Sequence, residues 1–142
     1  MRSVFLLRPL FLYIFVQIEE GKDMERIEKG RNAEELAREF LESRGLSLRD
    51  KNWRCGHREI DLILEGRDRI HIVEVRSLSL PSLLEPEETI THKKIRNIIS
   101  ATSAYIARYK IVKEVQFDIV AVKFGGKAVD IEYYPNAFTP TW

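Results

Sequence analysis

Residues 59–77 read "EIDLILEGRDRIHIVEVRS". Two strand-length apolar runs, Glu59–Glu65 and Arg69–Ser77, are separated only by the turn signal "EGRD". A link this short cannot carry a crossover, so the two runs must lie side by side and antiparallel. Each run also carries an acid where a buried strand should be apolar: Asp61 in "IDLIL" and Glu74 in "IVEVR". Side chains alternate along a strand. Ile60, Leu62 and Leu64 are therefore expected on one face, with Glu59, Asp61 and Ile63 on the other. In the next run Val73 and Val75 share a face, and Ile72, Glu74 and Arg76 share the opposite one. Folding about the turn sets Asp61 and Glu74 opposite each other, with Arg76 one step further on. Two adjacent carboxylates repel unless a cation lies between them. Mg²⁺, usually held by one or two carboxylates and several waters, is the natural candidate. The plainer alternative is that both acids are solvated strand-end groups and Glu74–Arg76 is an ordinary surface pair. Alternation alone does not say which face is buried.

The rest of the chain supplies the partners for these strands. Apolar residues at Ala33, Leu36, Ala37, Phe40 and Leu41 have helical spacing over residues 32–44, and Gly45 stops the helix. "LSLRDKNWR" reads as a strand with a polar middle. "LSLPSLLEPEE" reads as a surface loop. Thr91 or Thr89 can cap a long helix reaching Tyr109, with Ile95, Ile98, Ile99, Thr102, Ile106 and Tyr109 as its apolar stripe. "VQFDIVAVKF" and "AVDIEYY" are two further strands, turned by Gly125-Gly126. The order α-β-β-β-α-β-β places a long helix between two strands, which implies a parallel pair joined by a right-handed crossover. The expected class is α/β: a mixed central sheet flanked by helices.

Composition narrows the functions. The formal net charge is +1, so a nucleic-acid surface has to come from local clusters rather than from a global excess. A single cysteine, Cys55, rules out an internal disulfide framework and fits a reducing, cytoplasmic setting. His57, His71 and His92 form no zinc pattern with it. "MRSVFLLRPLFLYIFVQI" is apolar but broken by Arg8 and Pro9, too short for a spanning helix and without a cleavage site. Residues 1–23 are read as an extension produced by start-site choice, with translation beginning at Met24, and otherwise as an anchor. Residues 24–142 are read as one domain. No membrane partner is expected unless the extension is genuine.

The ordered set "GRNAEELAREFLESRG", "NWRCGHREIDLIL", "IHIVEVRS", "THKKIRNIISATSAYI", "QFDIVAV" and "NAF" covers most of residues 30–138. It resembles the YraN-like family, a group of bacterial proteins in the restriction-endonuclease-like superfamily. That superfamily carries the PD-(D/E)xK motif and includes archaeal Holliday-junction resolvases. The resemblance implies a restriction-endonuclease-like core and a single nuclease-like domain. It implies Mg²⁺ (or Mn²⁺) as cofactor and hydrolysis of phosphodiester bonds in branched or damaged DNA. It also implies a site built from Glu34, Asp61, Glu74 and Arg76, the first three facing the metal. Relatives of the resolvase kind are dimers, so a homodimer is the corresponding expectation. Two positions depart from the pattern. Arg76 stands where the motif has lysine, and arginine stays protonated and cannot act as a general base. Gln116 stands where relatives carry arginine, which is expected to weaken one ion pair or phosphate contact.

Two basic clusters are candidate phosphate contacts. "RDKNWRCGHR" brings Arg54, His57 and Arg58 together, and "THKKIR" places Lys93 and Lys94 in the first turn of the long helix, where backbone N–H groups also favour anions. Trp53 reads as a half-buried strand residue rather than a base-stacking platform, and Tyr105, Tyr109 and Phe117 read as core. Phe138 and Trp142 either pack back on the sheet or mediate self-association. Three functions follow: a metal-dependent endonuclease, a catalytically weak nucleic-acid-binding protein that keeps the fold, and a membrane-tethered accessory protein.

Overall fold

A computed structural model describes residues 33–79, 90–125 and 128–140. Helix α1 spans Ala33–Ser43 and is followed by strands β1 (Ser47–Cys55), β2 (Arg58–Glu65) and β3 (Arg69–Ser79). Helix α2 spans His92–Tyr109 and leads into β4 (Glu114–Gly125) and β5 (Ala128–Phe138). The sheet order is β1-β2-β3-β4-β5. Short links make β1/β2, β2/β3 and β4/β5 antiparallel, while α2 carries the chain back so that β3 and β4 run parallel.

The two helices take opposite faces of the sheet. Leu36, Ala37, Phe40 and Leu41 of α1 pack on Leu62, Leu64, Val73 and Val120. Ile95, Ile98, Ala101 and Tyr105 of α2 pack on Ile63, Ile72, Phe117 and Ile119. The alternation expected for β3 holds: Val73 faces α1, and Ile72 and Glu74 face α2. Leu41 is fully buried, so truncating it to alanine should cost ~2–5 kcal/mol.

The helix ends obey local chemistry. Gly45 takes φ +93, a conformation costly for other residues, and the Leu46 N–H closes on the Leu41 carbonyl at 3.3 Å. Thr91 caps α2: its hydroxyl oxygen accepts from the Lys94 N–H at 3.1 Å.

Four expectations need correction. Ile60 does not share a face with Leu62 and Leu64; it packs with Ile63 in the α2-side core. The alternation slips at Asp61, for reasons given below. The stripe of α2 is completed by Ala101 and Tyr105, whereas Tyr109 is 40% exposed. Tyr109 ends the helix at the rim, its ring against Tyr105 and Trp53 at 4.5 and 6.4 Å between centroids. Strand β3 continues through Leu78 and Ser79, which the sequence pattern assigns to a loop, because β4 pairs with it as far as Ser79↔Phe124. Strand β5 outruns "AVDIEYY" to Phe138. It crosses Pro135, which an edge strand tolerates, and bends at Asn136 (φ +52), so that Phe138 stacks on Phe117 at 5.1 Å.

Gly125, expected in the turn, is the last residue of β4 and pairs with Ala128; residues 126–127 lie outside the described set. The expectations for residues 1–32, for 80–89 and for Trp142 also lie outside the described residues. Trp53 is half-buried, edge-on to Tyr105 at 5.1 Å.

Candidate active site

The β2–β3 ladder runs from Glu65↔Ile70 to Leu62↔Val73 and ends there. The same register sets Asp61 opposite Glu74, as the turn implies. In place of a ladder bond, the Asp61 Oδ2 accepts the Val75 N–H at 2.9 Å. A side chain thus enters the seam between the strands. On the other side, Lys51↔Leu62 and Trp53↔Ile60 bracket Asn52 and Asp61, which stand opposite each other without pairing. Asn52 has φ +49, a region where asparagine is among the few tolerated side chains. Asp61 therefore drops out of both neighbouring ladders, and this explains why Ile60 turns to the other face.

Glu74 is only 3% exposed, which rejects the solvated-acid alternative for this residue. Its Oε1 lies 3.5 Å from Arg76 Nη1 and 3.6 Å from Lys94 Nζ. Its Oε2 is buried and receives no hydrogen bond from a donor among the described residues. Burial pushes the Glu74 carboxyl up to about 8; the charge of Asp61 and a side-chain hydrogen bond shared with it add to the rise, and Lys94 and Arg76 oppose it. A buried carboxylate that lacks a full set of donors and faces a second carboxylate is costly in isolation.

Glu34, in the first turn of α1, is held by a side-chain hydrogen bond to Asn52. Its carboxyl is raised above the usual range, chiefly by burial and then by the negative charges of Asp61 and Glu59. The structure thus brings together Glu34, Asn52, Asp61, Glu74, Arg76 and Lys94 from five elements. No three His, Cys, Asp or Glu side chains among the described residues are grouped so as to hold a metal ion by themselves. As placed, Asp61 and Glu74 form a pair, with Glu34 beside Asp61. The pair fits a divalent ion of the Mg²⁺ type: the donors are all oxygen, the count suits an ion that keeps its waters, and the Glu74 Oε2 has an unused lone pair.

The expected phosphate contacts lie at the same end of the sheet. The β1–β2 hairpin turns at Gly56 (φ +62) and carries Arg54, His57 and Arg58. Arg54 pairs with Glu59 at 3.1 Å, His57 is exposed, and the Arg58 Nε is buried without a partner among the described residues. Lys93 is exposed on α2, whereas Lys94 turns onto Glu74. Asn52 and the inward turn of Lys94 are not foreseen by the sequence pattern. The only signal for Asn52 is an asparagine inside a strand, and Lys94 looks like any lysine of a helix start.

A second polar cluster stiffens the neighbouring part of the sheet, where Asp118 pairs with Val73. Asp118 is fully buried and accepts from Gln116 Nε2, the Tyr133 hydroxyl and the Asn136 N–H, each at 2.8 Å. His71 Nδ1 lies 2.7 Å from its Oδ2. Gln116 also accepts from Arg69 Nη1 at 2.9 Å. The glutamine amide thus bridges the Arg69 guanidinium and the Asp118 carboxylate by charge-assisted hydrogen bonds.

This mixed sheet between two helices, with carboxylates where its central strands part, has a nuclease-like α/β fold. The chain belongs to UPF0102, described as an uncharacterised protein family, whose family model matches residues 33–122. It is similar to a UPF0102 protein of Phocaeicola vulgatus, 35% identical over 116 residues that make up 82% of this chain and 96% of the relative. The UPF0102 protein of Parabacteroides distasonis is 36% identical over 109 residues, 77% of this chain and 90% of the relative. That of Myxococcus xanthus is 32% identical over 115 residues, 80% and 91% respectively. No helix among the described residues is long and apolar enough to cross a membrane.

Proposed function

We propose that this domain is a metal-dependent endonuclease that hydrolyses phosphodiester bonds of DNA, with branched or damaged DNA as its substrate. The observation that carries the proposal is the Asp61–Glu74 pair, in which a buried carboxylate oxygen, Glu74 Oε2, receives no hydrogen bond from a donor among the described residues. A structural ion pair would satisfy both oxygens; a site that receives a cation and a phosphate would not.

A divalent ion held by Asp61 and Glu74 would polarise a phosphoryl oxygen and make water more acidic. The residues of the chain do the rest. The Val75 N–H fixes one oxygen of Asp61, so its second oxygen keeps one direction. Asn52 holds Glu34 beside Asp61, where the raised carboxyl can accept a hydrogen bond from a water. The Arg76 guanidinium offsets the charge growing on the phosphoryl oxygens and does not serve as the base. In the reaction a water oxygen forms a bond to phosphorus and the phosphorus–oxygen bond to one sugar breaks. The proton lost by the water passes to solvent, and the departing sugar oxygen takes a proton from solvent. The cationic hairpin and the start of α2 give the DNA backbone its seat.

Arg76 supports a second reading, a nucleic-acid-binding protein with little catalysis, because the motif position lacks lysine. One assay separates the two. Labelled duplex, single-stranded and four-way-junction DNA is incubated with the protein in Mg²⁺, Mn²⁺ or EDTA. Cleavage that needs the ion and disappears in Asp61→Ala supports the nuclease. Binding without cleavage under all conditions refutes it in favour of the second reading.

A further inference from the structure

We propose that Lys94 supplies, from the first turn of α2, the lysine ammonium that position 76 lacks, and that it touches the reacting phosphate as a catalytic cation of the Asp61–Glu74 site. The inference rests on the nuclease reading above.

The geometry sets Lys94 apart from its neighbours. His92, Lys93 and Arg96 are exposed, as expected for a solvated helix start. Lys94 precedes the buried Ile95 on the rim of the packed face. The Thr91 cap and the burial of Ile95 and Ile98 fix the rotation of this turn. The Lys94 side chain is therefore aimed at Glu74, and its Nζ stands 3.6 Å from Oε1. Arg76 reaches the same oxygen at 3.5 Å, so two cations from different elements converge on one carboxylate. At 39% side-chain exposure, Lys94 can meet Glu74 and an incoming phosphate together. The first turn of α2 holds no acidic residue to compete for it, and the positive end of the helix favours an anion there.

The chemistry also separates the two cations. An ammonium is a compact point charge with three rotatable donors, so one can stay on Glu74 while others reach a phosphoryl oxygen and the attacking water. A guanidinium is a rigid planar fork and is less able to divide its donors in this way. The second, independent observation is the buried Glu74 Oε2, which no donor among the described residues reaches, beside the oxygen the cations share. In hydrolysis Lys94 gains and loses no proton. It stabilises charge while the water–phosphorus bond forms and the phosphorus–sugar oxygen bond breaks.

The test compares the wild type, Lys94→Met, Lys94→Arg and the double variant Lys94→Met/Arg76→Lys, all checked for native circular dichroism. Three quantities are read: single-turnover cleavage of four-way-junction and duplex DNA in Mn²⁺, affinity for the same DNA in EDTA across a salt series, and Mn²⁺ affinity from the spin resonance of the free ion. Lys94→Met is expected to slow cleavage about 10²-fold, the effect of removing one transition-state donor. Lys94→Arg recovers only part of the rate, and the double variant recovers more because a lysine returns to Glu74. Mn²⁺ binds more tightly to Lys94→Met, since one competing cation has left Glu74. A plain phosphate anchor gives a different pattern: an unchanged cleavage step, weaker DNA binding, and a salt slope lower by about one. That pattern, or unchanged Mn²⁺ affinity, overturns the assignment and leaves the nuclease reading standing. If the wild type cuts no DNA with either ion, the nuclease reading has failed, and the role of Lys94 in it fails too.

Discussion

Glu74→Gln tests the buried pair through stability alone, without reference to activity. Burial and Asp61 push the Glu74 carboxyl from an ordinary 4.5 up to about 8. Between those values the folded chain keeps a proton that the unfolded chain has released. Its contribution to stability is therefore full below pH 4.5 and is lost as pH rises through 8. At ~1.4 kcal/mol for each pH unit separating the two values, ionising Glu74 in the folded state costs at most about 5 kcal/mol at high pH. Relaxation around the site reduces this, so about 2–4 kcal/mol is expected to develop between pH 5 and pH 9. Glutamine has nearly the same shape and does not ionise. Urea unfolding in EDTA should find Glu74→Gln and wild type close at pH 5, with the variant more stable by that amount at pH 9. Added Mn²⁺ at pH 8 should stabilise the wild type and leave the variant nearly unchanged, since binding to the native state adds RT ln(1 + [L]/Kd). A variant equally or less stable than wild type at both pH values refutes the argument, because the pair would then be a satisfied structural contact.

Two further substitutions probe the supports of the site. Thr91→Ala removes the cap from Lys94 N and should cost about 1 kcal/mol in urea unfolding; a change under a few tenths would mean that packing alone holds this turn. Asp118→Ala strips the acceptor from Gln116, Tyr133 and Asn136 and from the His71 contact. Each buried group left unpaired costs ~1–3 kcal/mol, so the variant should unfold or lose several kcal/mol. A well-folded, fully stable variant by calorimetry would show that water replaces the carboxylate.

The sequence by itself determined the element order, the antiparallel β2–β3 pair and the parallel β3–β4 pair. These follow from link lengths and from periodicities of two and 3.6 residues, which are local properties of the chain. It also set Asp61 against Glu74, because a turn of known length fixes the register on both sides of it. Local rules could not show that Asp61 leaves both ladders and turns Ile60 to the other face, since alternation presumes an unbroken pleat. Only the tertiary structure decided that Glu74 is the buried acid of the pair, that Asn52 stands beside Glu34, and that Lys94 rather than Lys93 faces the site. Burial and convergence are properties of the packed layers. Glu34, Glu74 and Lys94 lie far apart along the chain and become neighbours only when both helices close on the sheet.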